Sequence, residues 1–195
     1  MGDSMFSMNR LLPFVGCAVL FAAYQPSAGV AAPAADDGRL EVQVEYLDGR
    51  FFKDRNINLS NVHVYREYRK VKAVSLHYGM TVSHATGTCQ DVTDGESRAW
   101  GAGPSYMIRW ERELSHGWSA SLDATGSMLL YSRTHPADGR RYGFLWRIGP
   151  RLSYHFNASD ALGVSYIFHH ASNGHRTHNP GYNGIGFALG WQHRM

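Results

Sequence analysis

Tyr142-Gly143-Phe144-Leu145-Trp146-Arg147-Ile148-Gly149-Pro150-Arg151-Leu152-Ser153-Tyr154-His155-Phe156 has the two-residue rhythm of a β-strand. Phe144, Trp146, Ile148, Leu152, Tyr154 and Phe156 fall on one side, and Gly143, Arg147, Arg151, Ser153 and His155 on the other, because successive side chains of an extended chain point to opposite faces. The rhythm recurs in eight segments, near residues 40–47, 60–70, 72–83, 105–114, 118–131, 142–156, 161–172 and 182–192. In the third, Val74, Leu76, Tyr78, Met80 and Val82 oppose Ser75, His77, Gly79 and Thr81.

The connections alternate in length. Those at 71, 115–117 and 157–160 are tight, whereas 48–59, 84–104, 132–141 and 173–181 are longer and rich in Gly, Asp, Asn, Ser and Thr. An even number of antiparallel strands with short turns at one end and long loops at the other is the pattern of an outer-membrane barrel. The expected fold is therefore all-β, an eight-stranded antiparallel transmembrane β-barrel. A soluble lipocalin-like barrel shares strand number and alternation and differs in which face is apolar; the pattern alone does not say which set points inward. Export and an aromatic content of 13% favour the membrane barrel.

At 195 residues and 44% hydrophobic content the chain is sized for one domain. Residues 1–34 read as a signal peptide: Arg10, an apolar run from Leu11 to Ala23, then small residues ending Ala32-Pro33-Ala34. That run is shorter than the ~20 residues a spanning helix needs. Residues 35–195 are then the barrel domain. Removing residues 1–34 takes away Asp3 and Arg10, one charge of each sign, so the net charge stays at +3. So mild an excess does not nominate nucleic acid as a partner. Cys89 alone would remain, which excludes an intrachain disulfide.

The seventh segment ends Phe168-His169-His170-Ala171-Ser172-Asn173-Gly174, and Asn179-Pro180-Gly181-Tyr182-Asn183 follows. His170 and Ser172 share a face with Leu162, Val164, Tyr166 and Phe168, so a base and a nucleophile stand on the apolar side. With the N-terminus inside, the seventh strand runs outward and Ser172 lies near the outer surface. The stretch from about Tyr142 to Trp191 resembles the PagL family of outer-membrane lipid A 3-O-deacylases, whose mark is His-x-Ser-Asn followed by an Asn-x-Gly-x-acid segment.

The resemblance implies an ester hydrolase acting on lipid A, the lipid anchor of lipopolysaccharide, in the outer leaflet of the outer membrane, with no cofactor and no metal. Ser172 would be the nucleophile and His170 the base, with Asn183 at the position of the family acid. No Asp or Glu follows Asp160, so charge is lost there. Asn183 is in phase with Ile185, Phe187, Leu189 and Trp191, the apolar side of the eighth segment. The alternatives are that Asn183 suffices, that a carboxylate such as Asp160 replaces it, or that the chain is a non-catalytic barrel. By resemblance the Asn173 side chain and a backbone N–H of the Gly174 loop supply the oxyanion donors, although both residue types also simply begin turns. Arg176 and His178 are expected to meet lipid A phosphates, as Arg140 and Arg141 would in another loop. His169, His175 and His178 crowd the same region, but His169 faces away from His170, which argues against zinc. A homodimer is compatible with the sequence.

Overall fold

Strands β1 (Arg39–Asp48), β2 (Arg55–Val71), β3 (Val74–Cys89), β4 (Ala99–Glu113), β5 (Trp118–His135), β6 (Arg140–His155), β7 (Asp160–Ser172) and β8 (Tyr182–Arg194) pair antiparallel in chain order. The ring closes where β1 meets β8, with Val42 opposite Trp191 and Tyr46 opposite Phe187. This is a computed structural model that describes residues 38–49, 55–89, 95–174 and 181–195, all within the unit Ala35–Met195. The expected export segment, residues 1–34, lies outside the described residues.

The alternation read in the sequence sorts residues between the lumen and the exterior. Val44, Met80, Val164 and Leu189 are each more than half exposed, and Leu130 and Phe187 reach 64% and 63%. Inside, Arg109 donates to Glu41 at 2.8 Å and to Asp123 at 2.7 Å, while Arg151 pairs with the same Glu41 at 2.7 Å. A storey above, Arg147 pairs with Glu45 and donates to the Tyr65 hydroxyl at 2.7 Å. A carboxylate out of water costs several kcal/mol unless it is paired, and these are paired from two sides. The polar set therefore points inward and the apolar set outward, over an area that water would not tolerate as a bare surface. The exterior is a lipid-facing surface and the lipocalin-like alternative is excluded.

The strands are taller than their rhythm suggested. β2 begins at Arg55, β3 ends at Cys89, β4 begins at Ala99 and β5 runs to His135, all at the long-loop end. Along this extension the lumen changes character. Leu47, Ile57, Leu59, Leu129, Tyr131, Leu145 and Tyr182 pack there with small residues such as Ala85 and Ala99, closing an apolar storey above the ion pairs. At the opposite end the turns are tight, with Lys72, His116 and Gly117 at positive φ. Tyr68 lies 5.8 Å from Tyr78 there, and Trp118 5.0 Å from Tyr154, an aromatic belt of the kind that sits at a membrane interface.

Candidate active site

β7 carries His170 and Ser172 to the end of the barrel opposite the tight turns, and β8 brings Asn183 beside them. The register sets Asn183 directly opposite His170, with Trp146 of β6 on the other side, while Phe144 stands opposite Ser172. His170, Ser172 and Asn183 are half-buried on the outer side, continuous with exposed Tyr166, Phe168 and Phe187. His170 Nδ1 lies 2.7 Å from Asn183 Oδ1. An amide oxygen can only accept, so in this contact Nδ1 is the donor. Among the described residues no hydrogen bond joins His170 to Ser172; the two stand at i and i+2 on one face of the strand.

Gly181 opens this corner. A Cβ there would sit 3.2 Å from His170 Cε1 and 3.6 Å from Ser172 Cβ, so any larger residue would press on the imidazole. Gly174 has a φ of +68°, a left-handed conformation that bends the chain away after β7 and suits glycine.

Asn173 points the other way. It is 2% exposed, and its amide donates to Tyr142 O and accepts the Arg140 N–H, both at 3.1 Å, so its side chain is engaged with the β6 main chain and not turned toward Ser172 as an oxyanion donor, the role the resemblance implied. Asp160 stands at the far end of β7, twelve residues from Ser172 and about 40 Å away at the usual strand rise. Its carboxylate accepts from His193 at 2.8 Å. The structure thus separates Asp160 from His170, and Asn183 is the residue in contact with His170 Nδ1. His169, one residue from His170, is fully buried in the lumen, its ring edge-on to Tyr182. Arg140 and Arg141 are exposed at the same mouth, and Arg141 donates to Ser132 O at 2.8 Å. Arg176 and His178, together with His175, lie outside the described residues.

Two interior residues that the motif did not reveal also reach this corner. Arg55 Nη1 donates to Gly181 O at 2.5 Å, and His135 Nε2 lies 2.7 Å from the Tyr182 hydroxyl. Tyr182 carried a usable signal, since it is out of phase with Asn183 and so had to point inward. Arg55 carried none, because it falls in a stretch that reads as loop.

An eight-stranded closed barrel with an apolar exterior, bearing a histidine, a serine and an amide at one rim of that exterior, defines the class as a membrane-embedded barrel with a lipid-facing polar site. The sequence profile of the lipid A 3-O-deacylase (PagL) family matches residues 62–192, and the chain belongs to that family. Membership places it with the lipid A deacylases of the outer membrane. Among solved structures it is similar to that of the outer-membrane enzyme PagL, at 14% identity over 80% of this chain and 99% of that one, with a TM-score of 0.46. It is also similar to Neisserial surface protein A, at 7% identity over 81% and 96% of the two chains, with a TM-score of 0.49. No curated protein matches it in sequence.

Proposed function

We propose that this protein hydrolyses the ester-linked hydroxyacyl chain at the 3-position of lipid A through a Ser172–His170–Asn183 site, without cofactor. The observation that carries this reading is the 2.7 Å contact between His170 Nδ1 and Asn183 Oδ1 on the lipid-facing side, two residues from Ser172. A serine hydroxyl needs a base to become nucleophilic, and an imidazole protonated at Nδ1 has Nε2 free for that task. Ser172 Oγ attacks the acyl carbonyl while His170 takes its proton. Negative charge on the carbonyl oxygen is met by main-chain N–H groups at Asn173 and Gly174, with the Asn173 amide anchoring that turn to β6. The proton then passes from His170 to the departing 3-hydroxyl of the sugar, leaving the acyl group on Ser172. Water, activated by the same histidine, releases the fatty acid.

The acyl chain would lie along the apolar exterior beside Phe144, Trp146 and Phe168, and the phosphates would be met by Arg176 and His178. Residues 1–34 would direct export, and the long-loop rim would face the outer leaflet. The test is expression in a Gram-negative host with intact lipid A, comparing lipid A masses for wild type, Ser172→Ala and an empty vector. A loss of one hydroxyacyl group in wild type alone is the expected result. Unchanged masses with the barrel folded in the outer membrane would instead make this a non-catalytic barrel.

A further inference from the structure

We propose that Arg55 is a positioning residue for the His170–Asn183 pair, acting from inside the barrel through the main chain of Gly181. This rests on the reading of Asn183 as the group that orients His170. The ladder between β1 and β8 ends at Asp48 opposite Ile185, so among the described residues Tyr182, Asn183 and Gly184 are paired to β7 alone and Gly181 lies just outside the ladder. The segment carrying Asn183 is thus a half-supported strand end, the kind of element that frays unless something else holds it.

Arg55 supplies that hold from two strands away. Its guanidinium donates to Gly181 O at 2.5 Å, across a sequence separation of 126 residues. Gly181 is also the residue at which an added Cβ would meet His170 Cε1 and Ser172 Cβ. A second anchor stands one residue on. Tyr182 is 3% exposed and its hydroxyl meets His135 Nε2 at 2.7 Å, while His135 Nδ1 is held by Ser97 O at 3.0 Å and the Ser97 hydroxyl accepts the Ala137 N–H at 2.9 Å. Gly181 and Tyr182 are therefore fixed from the lumen, and Asn183, the next residue, presents its amide outward to His170. A neutral amide lacks the charge attraction by which a carboxylate would hold an imidazolium, so its orienting effect depends on where the backbone puts it. Among the described residues no hydrogen bond joins Arg55 to Ser172 or His170; it acts through the backbone that carries their partner.

The experiment follows the His170 ring in the full-length barrel, folded in detergent micelles with 15N-labelled histidine. Spectra are taken at about pH 8, where an ordinary imidazole is neutral, and the His170 signals are assigned by their loss in His170→Gln. The expected result is a wild-type ring protonated at Nδ1, a shift toward mixed tautomers in Arg55→Ala in the same direction as in Asn183→Ala, and recovery in Arg55→Lys. In parallel, Arg55→Ala lowers kcat on lipid A about tenfold with KM unchanged, as a small misplacement of a catalytic group does. If Arg55→Ala does not assemble, Arg55→Gln, which keeps one donor, serves for the same comparison. A His170 ring unmoved by Arg55→Ala but moved by Asn183→Ala overturns the positioning role alone. A ring unmoved by Asn183→Ala overturns the reading on which the proposal stands. A raised KM with unchanged kcat would make Arg55 a substrate contact and also defeat it.

Discussion

In the proposed acyl transfer Ser172, His170 and Asn183 divide the work, so each substitution has its own expected signature. Ser172→Ala should abolish turnover and leave the barrel folded, read from lipid A masses beside a thermal unfolding curve. Asn183→Ala should lower kcat by roughly 10²-fold, within the range usually lost with a well-placed base. Asn183→Glu should preserve or raise activity, because a carboxylate adds charge to the same contact; a rate below that of Asn183→Ala would count against the orienting role. Gly181→Ala should lower activity severalfold with little change in stability, since its Cβ would arrive 3.2 Å from His170 Cε1. That these three residues meet on one outer face was legible because His170 and Ser172 share strand parity and Asn183 falls in phase on the next strand. The path of the Asn173 side chain was not legible from the motif. Parity puts it on the inner face, but only the fold shows β6 main-chain groups waiting there at 3.1 Å.

The strands themselves were readable wherever large apolar residues alternate with polar ones, and all eight are present. Their outer ends were not, and the reason lies in particular residues. β4 begins Ala99-Trp100-Gly101-Ala102-Gly103-Pro104, a run whose small residues and proline read as loop. Gly103 and Pro104 are indeed skipped in the β4–β5 register, which passes from Ala102–Leu130 to Ser105–Ser127, yet both pair normally with β3. Asn56, Thr86 and Thr88 extend β2 and β3 in the same way, as rungs of a ladder supplied by neighbours rather than by their own propensity. Within the lumen, Arg109 joins strands distant in the ring through Glu41 and Asp123. Arg109→Met should cost on the order of 3–5 kcal/mol by leaving two buried carboxylates short of a partner. Urea unfolding in lipid vesicles would measure it, and a cost below 1 kcal/mol would mean that the lumen is wet enough to solvate them.

For the molecule as a whole, the inside-out arrangement makes the exterior the surface on which charge is least tolerated. Val164→Arg, on the outward face of β7 and paired with Leu152 and Leu189, should cost about 2–4 kcal/mol if it lies near the bilayer midplane. Arg112, exposed at the tight-turn end, already shows that the same charge is accepted there. The lumen has a different consequence. Its lower part is crossed by paired arginines and carboxylates, and its upper part is filled by Leu47, Leu59, Leu129, Leu145 and Tyr182. Among the described residues these two storeys reach across the lumen, an arrangement expected of a plug and not of a conduit. Reconstituted in a planar bilayer it should carry no porin-like current, and a cell could hold many copies without weakening the permeability barrier that its outer membrane provides.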